Sequence, residues 1–428
     1  MSQVIAVHDL RVGMFVHLDL GWMAHPFPLS SFRIASADQI DTIRGLGLKQ
    51  LRWVPEKSEL DEPRGFQGPW TLSLEAAGPV TDDENPEQLA ARMRREELAA
   101  QRAQTLMCER QYGEAGRAWR EASDAVGPAP VQAREQTEQL TGALLDKMLI
   151  DSELCIRLLS SGAGDRATAH ALNVAVISLL LGRSFGLKRE EMMDLGVGAL
   201  MHDVGKQQLP DRLRHLDEAF SAVEVQAYRE HVSTGVVQGR RMGLSPGALL
   251  VLAQHHEHAD GSGFPLKLGV ERMGIASRIV SLVNRYDNLC NPVQLSRALT
   301  PHEAMSMLFA QARHRYDTTI LNSFIRMMGV YPAGSVVQLT DDRYAMVISV
   351  NSSRPLKPCV LVHDERADRE EALFLNLETR PDLGIRRSLA PLKLPRAALE
   401  FLSPRPRVSY FFEPAPLNTL HADREALA

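Results

Sequence analysis

The spacing of apolar positions changes character along the chain, and each change predicts a different kind of structure. In the first 55 residues short apolar stretches at Val4–Val7, Phe15–Leu18 and Phe32–Ile34 predict strands. Asp38–Leu46 predicts a helix closed by Gly47, and LKQLRWV returns as a strand. Residues 56–88 carry Pro, Gly, Asp and Glu without periodicity and read as a linker. From Pro86 to Ala125 charges of both signs are dense, and Leu89, Met93 and Leu98 are too sparse for a strong core face, so a solvated helical arm is expected.

From about Val131 to Met328 the helical period holds almost throughout. Ser221-Ala-Val-Glu224 spells a capping box opening the helix that carries His231. Ser245-Pro246 places an N-cap before a first-turn proline, opening the helix that ends in His255 and His256. After Tyr331-Pro332 the period falls to two. SVVQLTDDRYAMVISVN predicts a hairpin turning at Thr340–Arg343, with PCVLVHD and ALFLNLE as further strands. The expected fold is mainly α. A helical domain over 136–328 follows a small α+β domain over 1–55 and a linker with a charged helical arm over 56–135, and precedes a small antiparallel β unit and tail over 329–428.

Bulk properties narrow the function classes. A chain of 428 residues is too long for one ordinary core and implies two or three domains. A net charge of -5 expresses no preference for nucleic acid or an anionic membrane. The opening MSQVIAVHDLRVGM lacks the basic flank and apolar run of a signal peptide. No apolar stretch approaches the roughly 20 residues that span a bilayer. Cys108, Cys155, Cys290 and Cys359 are scattered without a CxxC pair, which implies neither a disulfide framework nor a zinc ribbon. The chain reads as cytosolic.

The histidines carry the chemistry. Taken singly each has a bland reading. His170 in ATAHALNVAVISLLL reads as a hydrogen-bonded core residue, and His202-Asp203 at the end of MMDLGVGALMHDVGK as a helix cap. His231, one turn after Tyr228, reads as a packed side chain. Taken together, consecutive helices each bring imidazole or carboxylate to the face, or the end, turned toward the core. Burying that many titratable groups unpartnered costs several kcal/mol each. A metal centre resolves the cost, because neutral imidazole and ionised carboxylate are natural ligands. Five histidines (His170, His202, His231, His255, His256) and Asp203 exceed the needs of one tetrahedral ion. They suggest two ions bridged by Asp203, with ligands that suit Fe, Mn or Zn rather than Mg or Ca. His8, His17, His25, His302, His314, His363 and His421 lie outside the set, and His215 and His258 read as solvated loop residues.

MHDVGKQQLPD (Met201–Asp211), HHEHADGSGFP (His255–Pro265) and NRYDNL (Asn284–Leu289) resemble the HD-GYP domain, a subgroup of the HD-superfamily metal phosphohydrolases that degrades cyclic di-GMP. The resemblance covers roughly Gln136–Met328, and residues 1–55, with LRVGMFV, are similar to the small uncharacterised domain that precedes many such enzymes. It implies His170, His202, Asp203, His231, His255, His256 and Asn284 as metal positions and Lys206 as the lysine facing the substrate phosphate. It implies Asp260, Gly261, Gly263, Phe264 and Pro265 as the signature loop. The implied reaction is attack of a metal-activated hydroxide on the phosphodiester, with Asp203 and Lys206 as catalytic residues and pGpG, then GMP, as products. Arg278 and Arg285 stand on the helix of Asn284, where they either assist with the second phosphate or form a solvated face. Implied partners are cyclic di-GMP and signalling proteins such as diguanylate cyclases.

Three positions depart from the family pattern. Phe264 replaces the signature tyrosine and loses a hydroxyl. Arg166 stands where three-metal members carry a glutamate, which implies two ions rather than three. Asn284 replaces an aspartate ligand, so the first ion is held without that charge; Asp287 lies three residues on, but the family carries its own aspartate there as well. Asn284 also sustains a second reading, a catalytically weak sensor that binds cyclic di-GMP or a partner protein. The otherwise intact ligand set favours the enzyme.

Overall fold

The computed structural model describes residues 3–20, 24, 25, 27, 31–58, 86–150, 153–159, 165–352 and 354–415, so most of the expected linker lies outside the described residues. The chain divides into two compact units, 1–103 and 104–428. In the first, β1 (Gln3–Ala6), β2 (Phe15–His17), β3 (Ser31–Arg33) and β4 (Gln50–Trp53) form an antiparallel sheet in the order β1-β4-β2-β3. Helix α1 (Ala37–Gly45) starts at Ser36, whose hydroxyl caps the Gln39 amide. Val16, Ile34, Ile43 and Leu51 make the core. These are the strands and helix the sequence predicts. The charged arm is α2 (Pro86–Ala125), a helix of 40 residues that is solvated only in its first part. From Cys108 onward Tyr112, Ala115 and Ala122 are buried, so its second half is a core helix and not the solvated arm expected.

The second unit holds a helical array: α3 (Pro130–Ile150), α4 (Arg166–Ser184), α5 (Arg189–Met201), α6 (Ala222–Arg229), α7 (His231–Met242), α8 (Pro246–Gln254), α9 (Ile275–Cys290), α10 (Pro301–Gln311) and α11 (Thr318–Met328). The Ser221 capping box and the Ser245 N-cap form as expected. One helix differs from expectation. The helix opened by Ser221 stops at Arg229, and His231 begins the next. At that break the His231 ring folds back, and its Nδ1 meets the Tyr228 carbonyl oxygen at 2.6 Å.

The C-terminal strands are β6 (Val336–Leu339), β7 (Tyr344–Asn351), β8 (Cys359–Val362), β9 (Phe374–Asn376), β10 (Ile385–Leu389) and β11 (Tyr410–Pro414), with the short helix α12 (Arg396–Leu402) before the last. The hairpin turns at 340–343 as predicted. The sheet also takes in β5 (Leu154–Leu158), from a segment expected to be helical, in the order β10-β6-β7-β5-β11, with β8 on β7 and β9 on β8. Every residue of β5 is buried, so its apolar residues occupy both faces instead of alternating, a pattern that cannot be told from a buried helix. Its one charge, Arg157, is paired inside the protein with both oxygens of Glu413 on β11 at 2.9 Å and donates to Thr105 on α2 at 2.6 Å. The strands over 336–414 therefore share one sheet with the segment that leads into α4.

Candidate metal centre

Helices α4, α5, α7 and α8 each deliver a histidine at or near one end to a common point around Asp203. Asp165 caps α4 by accepting the Thr168 amide at 3.0 Å, which fixes the turn that carries His170. Helix α5 ends at Met201, so His202 and Asp203 leave its C-terminus together. His255 and His256 leave α8 in the same way.

The hydrogen bonds of the outer ring nitrogens fix the tautomers. Nδ1 of His202 meets the Ala199 carbonyl at 2.7 Å, that of His231 the Tyr228 carbonyl at 2.6 Å, and that of His255 the Leu252 carbonyl at 2.9 Å. A carbonyl oxygen only accepts, so Nδ1 carries the hydrogen and each Nε2 turns a bare lone pair inward. His170 is held likewise, its Nδ1 donating to Asp287 Oδ2 at 2.6 Å. Burial pulls His202 and His256 well below the ordinary imidazole value and His231 down to about 3, so these rings are neutral at physiological pH.

The inward nitrogens fall into pairs. His170 Nε2 faces His202 Nε2 at 3.1 Å, and His231 Nε2 faces His255 Nε2 at 3.4 Å. Asp203 lies between the pairs. Its Oδ2 is 3.6 and 3.5 Å from the first, its Oδ1 3.6 and 3.7 Å from the second. Lone pairs directed at one another repel unless a cation shares them. Asp203 Oδ1 and His256 Nε2 are moreover buried without a hydrogen-bond partner, a costly arrangement for polar atoms. The donors fit metal ions on both counts: Asp203, His231, His255 and His256 form one group, and His170, His202 and Asp203 another, within 4.8 Å in each case.

Lys206 follows on the 3-10 turn Val204–Gln208, with Nζ 2.6 Å from Asp203 Oδ2 and 5.4 Å from the Tyr228 ring centre. Burial works against both charges, but the pair wins: Asp203 stays well below the usual carboxylate range and Lys206 above its ordinary value. Gly205 makes the turn possible, since a Cβ there would lie 1.9 Å from the His231 carbonyl oxygen.

The signature loop closes one side. Phe264 stacks on His256, ring centres 4.5 Å apart and 19° from parallel, and the Arg229 guanidinium lies 5.1 Å from the Phe264 ring. Asp260 turns the loop by accepting the Ser262 amide at 2.9 Å, and Gly261 has φ +74°. Gly263 lets the loop fold onto His256 and Glu257, where a Cβ would sit 2.4–2.5 Å from backbone atoms. Pro265 follows Phe264 through a cis peptide bond. Sequence reasoning missed the loop's anchor. The carboxylate of Glu257, fully buried, accepts the amides of Leu266 at 2.6 Å and Leu268 at 2.9 Å. Its place in HHE is the signal that points to it.

The remaining sequence candidates are placed differently. Asn284 is buried, and its side-chain oxygen accepts from Asn288 at 2.6 Å. Asp287 faces the cluster only through His170. Arg278 donates to Met273 O at 3.1 Å and Asp317 Oδ2 at 2.8 Å, joining α9 to the residue that caps α11. Arg285 is exposed, and its charge reaches His258 and Tyr316. His215, read as solvated, is partly buried against Arg166, whose Nη1 lies 2.8 Å from its Nδ1. Burial and that guanidinium lower His215 to about 4.

Residues 2–137 match DUF3391, a domain of unknown function, and residues 152–320 match the HD domain. The chain is 26% identical over 368 residues to cyclic di-GMP phosphodiesterase PA4108 of Pseudomonas aeruginosa, covering 85% of each. It is 22% identical over 223 residues to cyclic di-GMP phosphodiesterase PdeB of Borreliella burgdorferi, covering 51% of this chain and 59% of that one. It is 28% identical over 155 residues to 3'3'-cGAMP-specific phosphodiesterase 2 of Vibrio cholerae, covering 36% and 30%. Among the described residues no helix is long and apolar enough to cross a membrane.

Proposed function

Because the chain is an HD-domain, metal-dependent phosphohydrolase with a DUF3391 domain in front, we propose that it hydrolyses cyclic di-GMP at a centre of two divalent transition-metal ions. The observation that carries the reading is the facing of two Nε2 pairs across one carboxylate. His170, His202 and Asp203 Oδ2 would hold one ion; His231, His255, His256 and Asp203 Oδ1 the other. The nitrogen and oxygen donor set suits Fe or Mn, and Zn after them.

Bound there, the ions supply Lewis acidity toward a phosphodiester and lower the pKa of the attacking water. The chain's own residues do the rest. Asp203 holds the two halves in register. Lys206 keeps its proton at Nζ and offers positive charge to a non-bridging phosphate oxygen, where negative charge grows in the transition state. Tyr228 under Lys206 and Phe264 over His256 exclude water from one side. Cleavage of the first ester gives pGpG and of the second GMP, and the working compartment is the cytoplasm.

Metal analysis of the purified protein, with hydrolysis of cyclic di-GMP and 3'3'-cGAMP under added Mn or Fe, tests this reading. His202→Ala and Asp203→Ala each strip metal and abolish hydrolysis while the helical fold survives. Metal content equal to wild type in both variants would sink the two-ion centre. The neutral Asn284 keeps the sensor reading alive, and that reading wins if the wild type stays inactive at saturating Mn while Asn284→Asp hydrolyses.

A further inference from the structure

Two buried asparagines tie the centre to the C-terminal sheet. Asn173 on α4 and Asn291 at the end of α9 each use one side-chain N–H on Asp287 Oδ1, at 2.7 and 2.8 Å. Each uses the other on the carbonyl oxygen of Val408, at 3.0 and 2.9 Å. Their oxygens are engaged too: Asn291 Oδ1 accepts the Val408 amide at 2.8 Å, and Asn173 Oδ1 accepts the Tyr410 amide at 2.8 Å. The second oxygen of Asp287 receives His170 Nδ1. Tyr410 is fixed from below, its hydroxyl 3.1 Å from that of Tyr286 and 3.2 Å from the Ala333 carbonyl.

This network has no slack. A primary amide has two donors, and both are spent on each asparagine, one toward the carboxylate and one toward the strand. Removing the strand leaves the amides free to rotate, and the Asp287 carboxylate loses what sets its plane. His170 then loses its alignment, because a partner of the outer nitrogen is what aims a ligating imidazole. Among the described residues no corresponding link is seen at the other histidines of the cluster: the outer nitrogens of His202, His231 and His255 bond carbonyls three residues back in the chain, and the His256 ring stacks on Phe264.

We propose that Val408–Tyr410, with Asn173 and Asn291 as positioning residues, form part of the support of the metal centre and set the affinity of the His170–His202 half alone. The proposal rests on the reading of the cluster as a two-ion centre.

Stepwise Mn binding to the full chain, followed by calorimetry after chelation, tests the assignment. Wild type binds two ions. Asn173→Ala and Asn291→Ala bind one ion unchanged and the other about 10- to 100-fold more weakly, the usual cost of losing a ligand's supporting partner. His255→Ala weakens the opposite step. Thermal unfolding of the metal-free forms identifies variants that fail to fold. Asn173→Asp serves in their place, because it still accepts the Tyr410 amide while losing the donor to Asp287. It too weakens one step only. Two unchanged steps in a folded Asn173→Asp overturn the proposal and leave the two-ion centre standing, as does equal weakening of both steps. A wild type that binds no Mn overturns the centre itself.

Discussion

Asn284 and Asn288, one helical turn apart on α9, are joined side chain to side chain at 2.6 Å, the oxygen of the first accepting the amide of the second. Asn288 in turn accepts from Arg166 at 3.4 Å, and Arg166 also reaches the Asn291 carbonyl at 3.2 Å. The position where the family pattern has an anionic ligand is thus neutral, with a guanidinium behind it.

Restoring the charge therefore changes metal demand. Asn284→Asp tightens the weaker Mn step by about 10-fold or more, the scale of a lost or gained charged partner near a metal. Turnover rises at limiting Mn and changes little at saturation. Titrations of activity against Mn for both forms check this; superimposable curves would show that position 284 does not address a metal.

Glu257→Gln addresses the loop instead. An amide accepts on one oxygen only, so one of the two loop amides is left buried and unpaired. The cost is about 1–3 kcal/mol, read as a fall of several degrees in Tm. Metal content at saturating Mn stays at the wild-type level, since no ligand touches Glu257 through its carboxylate. A variant as stable as wild type refutes the anchoring role.

Gly205→Ala is more damaging. The new methyl meets backbone on both sides, the His231 carbonyl at 1.9 Å and the Gly235 nitrogen at 2.5 Å, and neither is free to give way. The expected loss is about 3 kcal/mol, at the upper end for overpacking, together with weaker Mn binding because His231 moves with its carbonyl. Urea unfolding and metal analysis report the two effects. Wild-type values in both would mean that the turn stands clear of α7.

Lys147 on α3 gives a pH test away from the centre. Its side chain is buried, 1% exposed, and burial pulls it down to about 8, against the opposing pull of Asp146 and Glu114. The unfolded chain holds this proton up to its ordinary value of 10.5, whereas the folded chain releases it near 8. Between those values the unfolded state binds more protons, so stability rises with pH. At pH 7 the group costs about 3 kcal/mol. Lys147→Met raises the urea midpoint at pH 7, and the gain shrinks by pH 10. A gain independent of pH would assign the effect to packing alone.

The sequence made the His/Asp cluster legible because imidazole and carboxylate on apolar helices are costly to bury unless something binds them. His170, His202, Asp203, His231, His255 and His256 converge as expected. The supports were hidden for physical reasons. Asn173 and Asn291 are neutral amides, and a polar residue three positions after His170 carries no mark of what it bonds. Strand β5 escaped because burial on both faces erases alternation. Arg278 was ambiguous between substrate and structure until Asp317, 39 residues away, proved to be its partner.

The union of β5 with β11 also orders events during synthesis. Arg157 emerges 256 residues ahead of Glu413, and at about 5–20 residues per second the gap lasts roughly 13–50 s. Until then β5 lacks one flank, and Asn173 and Asn291 have no strand to grip. The helices and their histidines are thus made early, while the His170 half is finished only once β11 has left the ribosome. A chain stopped before Val408 therefore carries all five histidines but lacks the partners that hold Asn173 and Asn291.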